Sequence, residues 1–186
     1  MTDKEKILEY LRSGSIGILD LSLSYSVKEY ENKDVGYGAD LRNINLQGAN
    51  LHEANLKGAN LKGAILGFAD LHGANLMDAD LRGAILNEVN LENANLLGAD
   101  LTEVFMRHAH LANINLRLTD LTKADLSGTN LGSADLSGAE MQGSNLSYAN
   151  LRNAKLIGTY FGGGDLTGAD ITDADFTDAI LTDTLR

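Results

Sequence analysis

The chain has 186 residues, 44% of them apolar, which suits one folded unit with its own core. Asp and Glu outnumber Lys and Arg by 26 to 15, and the formal net charge of -11 repels phosphate, which argues against direct binding to nucleic acid or an anionic membrane surface. There is no cysteine, so disulfides, thiolate chemistry and thiolate-bound zinc or iron–sulfur centres are excluded.

Residues 1–38 read as an N-terminal cap. Thr2 stands three residues before Glu5, a capping-box spacing, Ile7, Leu8 and Leu11 follow at helical intervals, and Gly14 is a stop. A short helix over about 3–12 is expected, its apolar stripe covering one end of the core that follows. Leu19, Asp20 and Leu21 are already in phase with the later pattern, and residues 22–38 read as an irregular excursion or a second short helix. The N-terminus is charged from its third residue and holds no apolar run of signal-peptide or membrane-spanning length, so a soluble cytoplasmic protein is expected.

From residue 39 the sequence repeats every five residues, and such a period takes precedence over local helix or strand signals. Steps of five from Leu41 to Leu181 give 29 positions, of which 24 are Leu, 2 are Met (Met106, Met141), 2 are Phe (Phe161, Phe176) and 1 is Ile (Ile171). Two residues before each of these, 20 of the 29 positions are Ala and the rest are small or β-branched; the residue between is Asp ten times and Asn eleven times. This period matches neither a helix nor an unbroken strand. Each unit instead holds a short in-out-in stretch and two turn residues. Gly falls on the second turn residue at twelve units, from Gly48 to Gly168, the φ > 0 site of a type II turn. If each unit turns the chain by about a right angle, four units close a coil that rises about 4.8 Å. The expected fold is all-β, a quadrilateral β-solenoid of about seven coils over residues 39–186 and roughly 35 Å long. Inward Leu ladders fill it, each buried Leu contributing about 1.5–3 kcal/mol before ordering entropy is subtracted. Such a packed interior leaves no room for a cofactor, and none is expected.

Units such as Ala59-Asn60-Leu61-Lys62-Gly63 and Ala124-Asp125-Leu126-Ser127-Gly128 resemble the A(D/N)LXX motif of the pentapeptide-repeat family. The resemblance covers residues 39 to about 185. It implies a right-handed quadrilateral β-helix of a kind abundant in cyanobacteria. Many such proteins have no known activity, while one group resembles B-form DNA in shape and charge and inhibits or protects DNA gyrase.

Two side-chain sets could carry catalysis or metal chemistry. His52 and His72 stand twenty residues apart, hence on one column about one β-spacing apart, with Glu92 extending it. His108 and His110 flank the inward Ala109. Solvated surface side chains are far commoner on a repeat than ligands, and a convex rod offers no pocket that excludes water, so neither a metal site nor an enzyme is expected.

The acidic column Asp80, Asp100, Asp120, Glu140 invites comparison with a row of phosphates. Asx side chains, however, commonly bond nearby backbone N–H groups in turns, and the Asn55, Asn75, Asn95, Asn115 column would do so uncharged. Residues 39–186 carry 19 acids and 10 bases. That is about one net charge per 4 Å of rod, against one per about 1.7 Å of duplex. The adjacent Arg42, Lys62 and Arg82 dilute it further.

The column on the next side reads Asn45, Ile65, Ile85, Phe105, Asp125, Asn145, Asp165, so three consecutive coils place an apolar residue where the pattern wants Asx. With Phe68 beside Ile65, and Arg107 and His108 beside Phe105, this is the candidate partner-binding strip. The leading expectation is a non-enzymatic protein-binding scaffold with an unidentified protein partner; the alternative is a DNA-mimic regulator or protector of gyrase. Gyrase-acting members dimerise through an added C-terminal element with no counterpart after Leu181 here, which lowers the alternative. The C-terminal end holds Phe176, Leu181 and Leu185 beside Asp165, Asp170, Asp173, Asp175, Asp178 and Asp183, so a monomer or a weak, salt-promoted end-to-end dimer is expected.

Overall fold

The computed structural model describes residues 38–185. The helix expected at 3–12, the early coil at Leu19–Leu21 and, Gly38 excepted, the excursion at 22–38 lie outside the described residues. Within them the backbone pairs in parallel at a constant offset of twenty residues, from Asp40 with Asn60 to Asp165 with Leu185. The bridging residue is always the outward one. Leu41 N–H donates to the Asn60 carbonyl at 2.8 Å and Asn60 N–H donates to the Ala39 carbonyl at 2.9 Å, and the arrangement repeats along the coils up to Leu166 N–H and the Leu185 carbonyl. The short extended piece thus satisfies its backbone groups against the neighbouring coils, as a buried chain must.

Each corner from Leu41 to Phe176 is closed by a bond such as Ile44 N–H to the Leu41 carbonyl, 3.1 Å, with positive φ at the second turn residue. Gly takes that position twelve times, with φ of 62–70°, as the spacing of glycines predicts. The other seventeen corners adopt it without glycine, among them Phe68 (φ 60°), His108 (φ 56°) and Tyr148 (φ 58°). A left-handed L-residue costs roughly 1–2 kcal/mol. Here the neighbouring coil over-determines it: Phe68 N–H donates to the Asn87 carbonyl at 3.1 Å, and His108 N–H to that of Ser127 at 3.1 Å.

The central residues from Leu41 to Leu166 are buried, packed beside the small inward position. Four of those small positions are hydroxyl residues, and each donates to the carbonyl three residues back: Thr119 to Leu116 (2.7 Å), Thr129 to Leu126 (2.7 Å), Ser144 to Met141 (2.8 Å) and Thr159 to Leu156 (2.9 Å). A core polar group therefore costs little here. At the far end Ile171 is exposed and Phe176 and Leu181 are only half-buried, because no described coil covers them.

Candidate functional site

Parallel pairing sets Ile65, Ile85 and Phe105 on three successive coils of one side. Ile65 is half-buried, whereas Ile85 and Phe105 are 39% and 48% exposed, and Phe68 at the adjoining corner is 57% exposed. The rest of the column shows what the outward position normally does. Asn45, Asp125, Asn145 and Asp165 each accept, through Oδ1, the backbone N–H two residues on, at 3.1, 3.2, 2.9 and 2.8 Å. Ile65, Ile85 and Phe105 have no oxygen to offer, so the strip gives up a corner hydrogen bond in each of three coils. One loss is made good from elsewhere: Arg107 N–H donates to Asn87 Oδ1 at 2.9 Å, across one coil.

The polar rim is already engaged. Arg107 Nε donates to Asp125 Oδ2 at 2.5 Å, in the coil beyond Phe105. Burial alone would raise the Asp125 carboxyl, but hydrogen bonds from Arg107 and Ser127 outweigh it and hold the group below its ordinary value. His108 turns along the rod: a β-carbon on Gly128 would lie 2.5 Å from its Nδ1. The structure thus brings Phe105 and Arg107 together around Asp125, while His108 lies over the next corner rather than over the strip.

The acidic column does not stand as a free row of charge. Arg82 bonds Asp80 through Nε (2.9 Å) and Nη2 (2.5 Å) and its Nε lies 3.4 Å from Asp100 Oδ2. Asp100 also accepts from the Thr102 hydroxyl at 2.6 Å, and Asp120 takes the Thr122 N–H at 2.9 Å. The neutral Asn column ladders instead, with Asn75 and Asn115 amides donating to Asn55 and Asn95 at 3.4 and 3.1 Å. His52 and His72 stack face to face.

Sequence reasoning passed over other exposed apolar groups. Tyr148, 72% exposed, and Leu118 occupy positive-φ corners and lean over Gly168 and Gly138, where a β-carbon would lie 2.8 and 2.9 Å from them. Tyr160 and Ile180 take outward Asx positions on another side, next to the corner residue Ile157. The signal was present: a bulky corner residue followed twenty residues later by glycine.

A family model described as pentapeptide repeats (8 copies) matches residues 39–76, 74–111, 106–138 and 144–183. Among solved structures, the chain is similar to HetL, a pentapeptide repeat protein involved in heterocyst differentiation regulation from the cyanobacterium Nostoc sp. strain PCC 7120. The identity is 30% over 100% of this chain and 94% of that one, with a TM-score of 0.45. It is also similar to trypsin-treated QnrB1, a plasmid-mediated fluoroquinolone resistance protein, at 20% identity over 77% of each chain and a TM-score of 0.43. A third similarity is to Rfr23, a pentapeptide repeat protein from the cyanobacterium Cyanothece 51142, at 24% identity over 77% of this chain and 88% of that one, TM-score 0.29. No curated protein matches.

Proposed function

Because the chain belongs to the pentapeptide-repeat family, and its coil is accordingly a right-handed quadrilateral β-helix, we propose that it is a non-enzymatic protein-interaction scaffold. The partner docks on the strip formed by Ile65, Phe68, Ile85 and Phe105, with Arg107 at its edge and His108 reached at the adjoining corner. One observation carries this reading: in three consecutive coils the outward position exchanges a hydrogen-bonding Asx for an apolar side chain. Burying such a strip under a partner contributes roughly 25 cal/mol per Å², with Phe105 the anchor. A partner that engages Arg107 competes with Asp125 for its guanidinium. In this reading the rod has about seven coils, the helix at 3–12 caps its N-terminal end, and the protein works in the cytoplasm. The test is the triple change Ile65→Asn, Ile85→Asn and Phe105→Asn, which restores the repeat's own preference. Folding is kept, and a partner captured from lysate by the parent chain is lost; undiminished capture by the folded variant overturns the reading.

Mimicry of duplex DNA towards gyrase ranks second. Asp80, Asp100, Asp120 and Glu140 supply a regularly spaced acidic column, but Arg82 bridges its first two members and offsets one of their two charges. The expectation is no inhibition of gyrase supercoiling and no protection from a quinolone at micromolar protein. Inhibition or protection that disappears when Asp80, Asp100 and Asp120 become Asn would reverse the ranking.

A further inference from the structure

We propose that His52 and His72 form a two-imidazole chelate for a late first-row divalent cation such as Ni2+, Cu2+ or Zn2+. The two side chains leave the same corner position of successive coils, and their rings face each other with centroids 5.2 Å apart and planes 8° from parallel. Backbone pairing presets this arrangement. Asn50 and Asp70 bridge in register, and each accepts through Oδ1 the backbone N–H of its histidine, both at 3.1 Å. Glu53 N–H donates to the His72 carbonyl at 2.8 Å, tying the two corners together. The backbone therefore brings the two rings next to each other before an ion arrives, so binding needs only reorientation of the side chains.

A neutral imidazole offers one in-plane lone pair. With the planes 8° from parallel, the two in-plane lone pairs lie in parallel layers and do not yet meet at one point. A counter-tilt of the two rings, His52 exposed and His72 half-buried, turns both towards one ion about 2.0–2.1 Å from each nitrogen, which sets the nitrogens about 3.3 Å apart. The Glu53 carboxylate, with Oε1 3.7 Å from His52 Nε2, adds a negative charge beside the His52 ring. Among the described residues no three His, Cys, Asp or Glu side chains converge to hold an ion, so water completes the shell. A donor set of two imidazoles selects nickel, copper and zinc over calcium and magnesium, which demand oxygen ligands. His108 and His110 provide an internal control, because they sit two residues apart within one coil and lack the twenty-residue register.

Calorimetric titration of the whole chain with NiCl2 and with ZnCl2 at neutral pH tests the proposal. One equivalent is expected to bind, with His52→Ala and His72→Ala each weakening it at least about tenfold, since each ring holds the ion at high effective concentration for the other. The double change His108→Ala, His110→Ala leaves binding as it was, and excess Mg2+ or Ca2+ does not compete. Melting without metal shows whether the variants remain folded; with metal, the melting temperature rises in the parent chain and much less in the His52 and His72 variants. Undetectable binding by the parent chain, or binding that persists undiminished in folded His52→Ala, overturns the proposal.

Discussion

The ring of Phe161 occupies the space that a β-carbon on Gly164 would need, for such an atom would lie 2.5 Å from both Cε1 and Cζ. Phe161 replaces the usual Leu and is fully buried, while Gly164 replaces the usual Ala, so extra volume at one inward position is matched by a missing methyl at the next. Gly164 does not adopt the left-handed conformation, so its requirement is steric alone. Gly164→Ala should cost about 1–3 kcal/mol by overpacking. Adding Phe161→Leu should recover most of it. Denaturant unfolding of the single and double variants checks this, and a double variant no more stable than Gly164→Ala would show that the ring is not the obstacle.

Leu96 lies in a middle coil with no exposure. Leu96→Asp buries a carboxylate without a partner, and the rod should unfold or melt far lower. Lys57→Ser, on the exposed corner of the same side, should change stability by under about 0.5 kcal/mol. Thermal melts followed by circular dichroism compare them, and a near-native melt for Leu96→Asp would contradict the inward assignment.

The carboxylates give the stability a defined acid limb. Burial alone would raise Asp80, Asp125 and Asp135, but hydrogen bonds to Arg82, to Arg107 and Ser127, and to Ser137 respectively outweigh it and hold each below the ordinary 3.8. A carboxyl depressed in the folded state contributes stability above its unfolded value, and that contribution is lost as pH falls through the folded one. The melting temperature should therefore be flat above about pH 5 and fall below about pH 4. Arg107→Gln should be less stable than the parent chain at neutral pH, with the gap closing as Asp125 becomes protonated in both. An equal gap at neutral and strongly acidic pH would show that the Arg107–Asp125 pair is not its source.

The period of five made the coil legible because every twenty residues return to the same inward volume, which Leu41, Leu61 and Leu81 fill identically. The strip at Ile65, Ile85 and Phe105 was visible for the complementary reason: the outward position has a strong preference, and an apolar residue violates it. Corner side chains escaped notice because the second turn residue tolerates many types, so Tyr148 and Leu118 break no rule. Their direction follows from positive φ, which carries them over the glycine of the next coil, and the sequence records it only as glycine twenty residues on. The Arg107–Asp125 bond spans eighteen residues and depends on side-chain reach rather than register.

At the C-terminal end the N–H groups of Ile171, Phe176 and Leu181 find no acceptor among the described residues, and these side chains are only partly covered. An open edge of this kind favours association. Six acids crowd it, and among the described residues only Asp170 forms an ion pair there, with Arg152 at 3.1 Å. Two such ends repel at low salt, and screening within about 10 Å at 0.1 M salt relieves the repulsion. Light scattering should find a monomer at low salt and at most a weak dimer at high salt. A tight dimer at low salt would refute this.

The strip itself should cost the free protein stability, and unequally along its length. Ile85→Asn supplies an acceptor for the Asn87 N–H, as Asn145 does for Ser147 at 2.9 Å in the same column. Such a bond contributes about 0.5–1.5 kcal/mol net. Ile85 is already 39% exposed, so the apolar contact given up is partial. Phe105→Asn gains no such bond, because the Arg107 N–H is already taken by Asn87 Oδ1 at 2.9 Å. Ile85→Asn should therefore melt at or above the parent chain, and Phe105→Asn at or below it. If the two variants shift the melting temperature alike, the outward Asx bond is not what the strip displaces; if the order holds, the sequence retains Ile85 against its own folding preference, as a residue kept for contact with a partner would be.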